Sequence, residues 1–263
     1  VYDMAAQAAA ETQPTFKMDA MSYGASSQES GPRRTRFGDH DMGTIYLSDA
    51  RFLPSSFTAS TVPGGEIHCG DWSAYRPDSL YVNNAWVRLV LDGAAIEVAG
   101  DVTVTNRASL GFGGGAHAYS NCMARISQTQ GPGPSVHVKG NVVVGDSKPS
   151  IYYSIWEPNY WDTAIFLIAG ESVVGERDAT VGAVLQVDGD FTLATANASC
   201  YFFPNAASGA APVLRARNVR QVEGAIFDAV GTGYSGDATG VKGAGPGCAG
   251  PGLAGGGHGG TGA

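Results

Sequence analysis

The sequence predicts an all-β fold, and the prediction rests on a repeat and on the scarcity of helical patterns. After residue 12 no amphipathic pattern of ten or more residues typical of a helix occurs, which argues against α/β folds. A nine-residue pattern, apolar-x-apolar-x-Gly-(Asp/Asn)-apolar-x-apolar, recurs at 96–104, 136–144 and 185–193. The apolar residues keep one parity across the glycine, as in a strand with one buried face. Recurrence of such a strand indicates stacked, equivalent units.

Two further strand-like runs separate successive copies of the repeat. They lie at 109–112 and 122–127, at 151–156 and 164–168, and at 200–203 and 213–216. Three short strands per repeat are what one coil of a parallel β-helix requires, because each coil buries its inward face against the next. We also expect a first strand at 44–47 and a looser fourth copy beginning at 214–218. A β-sandwich is the alternative, since many short strands describe it as well.

The repeat glycines predict a bend or a close approach of backbones, because glycine carries no side chain. The Asp or Asn that follows each glycine is expected to point outward and to stack along one edge. These residues are Asp101, Asn141 and Asp190. Stacked oxygen ligands are compatible with calcium between coils, whereas a turn cap bonded to local backbone N–H groups explains them equally well. We favour the cap, because the dense Gly-Gly-x-Gly-x-Asp runs of calcium-binding solenoids do not occur here.

Composition divides the 263 residues into three zones. Residues 1–42 are mostly polar and predict an N-terminal arm or linker, and residues 43–239, which hold nearly all the aromatic and β-branched residues, predict the β-helix domain. From 240 to 263, 12 of the 24 residues are glycine, which leaves too few side chains for a separate core. This glycine-rich segment and the opening Val1 predict a piece of a larger protein that continues beyond both ends.

Charge and hydropathy restrict the partners. The net charge of −8 argues against a nucleic-acid partner, which normally meets a basic face. The sequence contains no apolar run of about 18 residues, so we expect no membrane-spanning helix. Four cysteines allow two disulfides, as in extracellular chains, or buried thiols at Cys122 and Cys200. The other two cysteines are Cys69 and Cys248, and the sequence leaves their pairing open.

One aromatic segment is the best candidate for a binding site. Five aromatic residues fall within 152–161, around a turn marked by Pro158 and Asn159. Exposed Trp and Tyr rings stack on sugars or anchor protein interfaces; the alternative is that they pack under the loop or close one end of the fold. The residues assigned to binding of a carbohydrate or another partner are Tyr153, Trp156, Tyr160 and Trp161.

A second, weaker candidate is a metal site before the first strand. Asp39 and Asp41 flank His40, and on an extended chain the two carboxylates share one face and suit a hard cation. A solvated loop is the favoured interpretation of the same residues. No nucleophile elbow, phosphate-binding loop or His-Glu-x-x-His helix occurs, so we assign no catalytic residue.

The repeats resemble strands of right-handed β-helix proteins of the pectin-lyase-like type, including autotransporter-like bacterial surface proteins. The segment Ala-Gly-Gly-Gly-His-Gly-Gly at 254–260 is similar to glycine-rich segments of very large secreted β-helix proteins. The resemblance covers roughly residues 85–263. It implies a right-handed parallel β-helix, an extracellular or cell-surface location and a non-enzymatic structural or adhesin-like role.

Several further expectations follow from that resemblance. Neighbouring copies or the rest of the parent chain are the expected partners, together with glycans. We expect no cofactor, with calcium as the alternative. A carbohydrate-active enzyme, either a polysaccharide lyase or a glycoside hydrolase on the same fold, is the alternative function.

Overall fold

The computed structural model of the protein describes residues 44–62, 64–113, 131–145, 163–205 and 208–229. Within those ranges the chain forms strands β1 to β15 and a single turn of 3-10 helix at Ala50–Phe52. The all-β prediction is therefore confirmed. The runs at 122–127 and 151–156 lie outside the described residues.

The strands form two sheets. A seven-stranded sheet contains, in hydrogen-bonded order, β1 (Thr44–Leu47), β3 (Gly64–Cys69), β5 (Trp86–Val90), β8 (Ser109–Gly113), β11 (Thr163–Ile168), β13 (Ala198–Phe203) and β15 (Ile226–Asp228). An eight-stranded sheet contains β2 (Ser56–Thr58), β4 (Leu80–Asn83), β6 (Ala95–Val98), β7 (Val102–Thr105), β9 (Ser135–Val138), β10 (Val142–Val144), β12 (Val181–Leu193) and β14 (Ala211–Gln221).

Every strand pairing among the described residues is parallel. The pairings follow the orders β1-β3-β5-β8-β11-β13-β15 and β2-β4-β7-β10-β12-β9-β6, and β14 pairs with the other side of β12. The strands predicted at 44–47, 109–112, 164–168, 200–203 and 213–216 are found in β1, β8, β11, β13 and β14. Parallel pairing is compatible with a parallel β fold and does not support the β-sandwich alternative, whose sheets are antiparallel.

The repeat copies lie side by side in exact residue register within the eight-stranded sheet. Val98 faces Val138, and Val138 faces Val187. Beyond the glycine, Val102 faces Val142, and Val142 faces Phe191. The predicted repeat is thus a stack of equivalent strands, interrupted at the glycine in the first two copies and continuous in the third.

The fourth copy pairs with the third but lacks the glycine. Val187 faces Ala216 and Asp190 faces Asn218, with a register shift between these two pairs. Residues 188 and 189 of β12 therefore lie opposite the single residue Arg217, which is the geometry of a β-bulge.

The close approach predicted at the repeat glycines is confirmed. A Cβ atom on Gly140 would lie 2.6 Å from the carbonyl carbon of Gly100, and one on Gly189 would lie 2.5 Å from the carbonyl oxygen of Gly140. Real Cβ atoms do not approach other atoms so closely. The stack consequently requires glycine at these positions for space rather than for an unusual φ angle.

The main hydrophobic core contains inward side chains of both sheets. Val98, Val138 and Val187 contribute from the eight-stranded sheet, whereas Leu110 and Ile165 contribute from the seven-stranded sheet. The alternation of buried and exposed residues along β12 matches the parity predicted from the repeat.

A second apolar cluster lies on the other face of the seven-stranded sheet. Phe166 alternates along β11 with Ile165 and Leu167, which belong to the main core. Its ring stacks on that of Tyr201, with centroids 4.9 Å apart and planes inclined by 14°. In register, Phe166 faces Gly111, which faces Arg88 on β5. The same face therefore changes from aromatic on β11 and β13 to charged on β3 and β5.

Candidate functional site

An open cleft of about 600 Å³ lies beside β1, the end of β3 and the start of β6. Residues 68–73, which include the end of β3 and the loop after it, form one part of its lining. The other part consists of Val90, Asp92, Ala94 and Ala95, together with Tyr46. The cleft adjoins β6, which pairs with β9 and has no further strand partner among the described residues. The loop at 70–79 carries no strand, so a recess is left next to Ala95.

Two buried aromatic side chains hold this loop in place. The indole Nε1 of Trp72 donates a hydrogen bond to the carbonyl oxygen of Val90 at 2.9 Å. The Tyr75 hydroxyl donates to the carbonyl oxygen of Pro54 at 3.0 Å, and burial raises its pKa. The two rings meet edge to face with centroids 6.0 Å apart. Trp72 is thus a fixed wall of the cleft, while Tyr46 at the rim is exposed.

Carboxylates provide the negative charge of the cleft. The Asp71 carboxylate accepts a hydrogen bond from the backbone N–H of Ser73 at 2.8 Å. Hydrogen bonding by Ser73 holds the pKa of Asp71 below its ordinary value. Asp92 lines the opposite part, and the imidazole of His68 lies nearby. The cleft therefore offers two carboxyl groups, an imidazole and an exposed phenol to a polar ligand.

The Cys69 thiol in this cleft is not an activated nucleophile. Its Sγ donates to the carbonyl oxygen of Asp71 at 3.3 Å, and burial raises its pKa. A thiol with a raised pKa stays protonated at neutral pH and reacts slowly. Cys69 and Cys200 are both free, and Cys200 is the buried thiol that the sequence allowed. Cys122 and Cys248 lie outside the described residues.

A buried ion pair lies next to the cleft. Glu66 and Arg88 face each other on β3 and β5, and the Arg88 Nη2 lies 2.7 Å from the Glu66 Oε1. Burial lowers the pKa of Arg88 to about 10, while the carboxylates of Glu66 and Asp92 oppose this change. The guanidinium therefore remains charged at neutral pH. The His68 Nε2 lies 3.7 Å from the other oxygen of Glu66.

The sequence analysis did not identify this pair, because a single glutamate and a single arginine in separate strands form no local motif. The signal that identifies it is the interval between neighbouring strands. β1, β3, β5 and β8 begin at residues 44, 64, 86 and 109, which gives intervals of 20, 22 and 23. Glu66 and Arg88 are 22 residues apart and so occupy equivalent positions on adjacent strands.

The Asp and Asn residues of the repeat form a ladder across the strands. Asp101 accepts a hydrogen bond through Oδ1 from the backbone N–H of Asn141 at 2.7 Å. Asn141 in turn accepts through Oδ1 from the backbone N–H of Asp190 at 3.0 Å. Asp190 then accepts from the side-chain Nδ2 of Asn218 at 2.8 Å. The prediction of local turn caps was wrong about the partner, because in-register strands lie only about 4.8 Å apart and the next copy is within reach.

Ion pairs flank this ladder on the exposed face of the eight-stranded sheet. Lys139 lies 2.7 Å from Glu97, and the His137 Nε2 lies 3.0 Å from Asp188. The hydrogen bond from Lys139 lowers the pKa of Glu97, and that from His137 lowers the pKa of Asp188. These partners join adjacent strands. Because the groups are exposed and screened by water, these pairs are expected to contribute little to stability.

The site residues predicted from the sequence fall outside the described part of the chain. These residues are Tyr153, Trp156, Tyr160 and Trp161 of the aromatic segment and Asp39 and Asp41 of the metal candidate. Both assignments stay predictions. Within the described ranges, no three His, Cys, Asp or Glu side chains are grouped so as to hold a metal ion, and no helix is both long and apolar enough to cross a bilayer.

Comparisons with protein-family models, curated proteins and solved structures found no match to this chain. The resemblance to pectin-lyase-like β-helices therefore remains an interpretation of the repeat.

Proposed function

We propose that this chain is part of a right-handed parallel β-helix that acts as a non-enzymatic structural or adhesin-like segment of a larger extracellular or surface protein. The observation that carries the proposal is the exact register of successive repeat copies. Val98, Val138 and Val187 occupy one column, as expected when equivalent coils stack with a small, regular displacement.

Two features of the stack suit a scaffold. The backbone glycines approach one another too closely to admit any side chain, and the Asp101–Asn141–Asp190 ladder links adjacent strands by hydrogen bonds. Both features repeat along the stack and neither requires a ligand. A structure held by such repeated contacts presents its surface side chains at intervals of about 4.8 Å, which suits repetitive binding along its length.

Surface exposure of the native protein tests the location. Protease treatment of intact source cells should release peptides of this chain if it is displayed outside the cell. A cytoplasmic protein measured in the same samples is the control for lysis. Retention of the chain inside intact cells would contradict the proposal. Native mass spectrometry of the protein from its source should also give a mass well above that of 263 residues.

Glycan contact is assigned to Tyr153, Trp156, Tyr160 and Trp161. Titration with a panel of polysaccharides should change the tryptophan fluorescence, because stacking on a sugar alters the environment of an indole. Trp156→Ala and Trp161→Ala should abolish the change, whereas Trp86→Phe in β5 should leave it intact. A fluorescence signal that no polysaccharide alters would contradict this assignment.

The cleft favours a second candidate function, a carbohydrate-active enzyme. Glycoside hydrolysis requires two carboxyl groups, one acting as acid and the other as base or nucleophile, and Asp71 and Asp92 both line the cleft. Incubation with acidic and neutral polysaccharides should then release new reducing ends or unsaturated products. Asp71→Asn and Asp92→Asn should each abolish release, while Asp178→Asn, at a residue that does not line the cleft, should not. Release unaffected by either cleft variant would exclude this cleft as the active site.

A further inference from the structure

The cleft is built on one column of the seven-stranded sheet. Tyr46 faces His68 in register, His68 faces Val90, and all three residues line the cleft. Ile67, which precedes His68 on β3, belongs to the main core, so the column lies on the opposite face of the sheet. Tyr46 is 70% exposed, and its ring is therefore accessible at the rim.

The Tyr46 side chain reaches the loop that carries Asp71. A Cβ atom placed on Gly70 would lie 3.2 Å from the Tyr46 hydroxyl, so the phenol lies over the backbone next to Asp71. Trp72 follows in the same loop and is fixed by its hydrogen bond to the carbonyl oxygen of Val90. A ligand in the cleft therefore meets an exposed aromatic ring beside a loop that carries a carboxylate.

Negative charge predominates in the cleft. Asp71 and Asp92 line it, and none of the described residues in its lining is a lysine or an arginine. The neighbouring ion pair of Glu66 and Arg88 carries one charge of each sign, so it does not offset the two aspartates. Hydrogen bonding by Ser73 lowers the pKa of Asp71, which keeps this carboxyl ionised at neutral pH.

Asp71 differs from several other carboxylates of the protein in the group that holds it. Those carboxylates lie 2.7–2.9 Å from a cationic side chain, in the pairs Glu97–Lys139, Glu176–Arg215 and Asp190–Arg217. Asp71 instead accepts a hydrogen bond from the backbone N–H of Ser73, and no ion pair joins it to a cation within the described residues. A positively charged ligand would supply the counter-charge that the lining of the cleft lacks.

We propose that the cleft binds sugars that carry a protonated amine, in preference to neutral or acidic sugars of the same size. This step rests on the cleft being the carbohydrate site of the second candidate function, and it names the substrate class. A protonated amine donates charge-assisted hydrogen bonds to carboxylates and is attracted to the face of an aromatic ring such as that of Tyr46. A sugar acid would instead bring a further carboxylate close to Asp71 and Asp92, and like charges repel.

Calorimetric titration of the purified full chain with two matched ligands tests the proposal. Oligomers of glucosamine and of N-acetylglucosamine with the same length and linkage differ in whether the amine is charged. At about pH 5, where carboxyl groups of ordinary pKa are ionised, the glucosamine oligomer should bind about tenfold more tightly, as expected for a hydrogen bond between charged groups. Added salt should reduce this preference by screening the charges, and galacturonate oligomers should not compete.

Single substitutions separate the contribution of charge from that of the aromatic ring. Asp71→Asn and Asp92→Asn should each reduce the preference for glucosamine and retain binding of the N-acetylglucosamine oligomer. Tyr46→Ser should weaken binding of both oligomers, because either sugar can stack on the ring, and its melting temperature should be unchanged because the side chain is exposed. The matched control is Asp178→Asn, at a residue that does not line the cleft, and it should bind both oligomers like the wild type.

Four results would overturn the proposal: no binding of either oligomer, equal affinity for the two, tighter binding of galacturonate, and a preference that neither aspartate variant reduces. Preferential binding of the glucosamine oligomer without release of reducing ends would support the proposal and remove only the enzymatic function of the cleft. Cleavage of a neutral polysaccharide that Asp71→Asn abolishes, together with equal affinities for the two oligomers, would leave the enzymatic function standing and remove the preference for an amine.

Discussion

At the scale of single residues, the repeat glycine is the position least open to change. We expect Gly140→Ala to destabilise the protein, because the new Cβ would lie 2.6 Å from the carbonyl carbon of Gly100. Overpacking of this kind lowers the free energy of unfolding by about 1–3 kcal/mol. In a domain of this size, each kcal/mol lowers Tm by about 2–4 °C. Thermal unfolding measures the change. The control is Gly70→Ala, whose Cβ would meet the hydroxyl of the exposed Tyr46 side chain at 3.2 Å; equal Tm losses would contradict the stacking argument.

The central valine of the repeat column provides a second test at this scale. Val138 is completely buried between Val98 and Val187. Val138→Asp would place a carboxylate without a charged partner in an apolar column, and we expect a loss of more than about 4 kcal/mol, enough to unfold the domain. Circular dichroism with denaturant titration measures it. Val174→Asp, at an exposed position, should leave the free energy of unfolding unchanged. An equal loss of stability in the two variants would show that the valine column is not part of the core.

At the scale of elements, the ladder between β10, β12 and β14 depends on ionised Asp190. Hydrogen bonds from Asn218 and Arg217 hold the pKa of this carboxyl below its ordinary value of 3.8. A group whose pKa is lower in the folded state stabilises the protein above its unfolded pKa and loses that contribution as pH falls through the folded value. The ladder should therefore weaken below about pH 4, as the Asp190 carboxylate becomes protonated.

We accordingly expect Asp190→Asn to lower the Tm at neutral pH and to reduce the further loss of Tm on acidification. Thermal melts between about pH 7 and pH 2 measure both effects. Asp178→Asn is the control, because the pKa of Asp178 is lowered only by Thr180 in its own loop. An acid response of Asp190→Asn identical to that of the wild type would show that the ladder contributes nothing.

Elements differed in how far the sequence predicted them, and the reason is physical. β12 was predicted because its apolar residues alternate without interruption across Gly189. β3 and β5 were not predicted. Glu66 and Arg88 are buried there as an ion pair, so charged residues stand at positions where the strand pattern calls for apolar ones. The cleft was missed for a related reason. It depends on Trp72 and Tyr75 packing in a loop without periodicity, and no local pattern reports such packing.

At the scale of the whole molecule, the parallel two-sheet architecture predicts a simple spectrum. Far-ultraviolet circular dichroism of the full chain should show β structure with very little helix, because the described residues contain one single-turn helix and fifteen strands. A strongly helical spectrum would contradict the architecture. The spectrum of Val174→Lys should match that of the wild type.

The core column of Val102, Val142 and Phe191 reaches Val219 within the described residues, and its regularity bears on the size of the molecule. Most folded domains set their own extent, because the last element closes the core. Here each strand packs on its neighbour in the same way as the strand before it. The packing itself therefore does not fix the number of strands in the stack. Stability per added strand is then nearly constant, as in a one-dimensional array. Adding or removing one whole copy of the repeat is therefore expected to change the length of the stack without altering the fold.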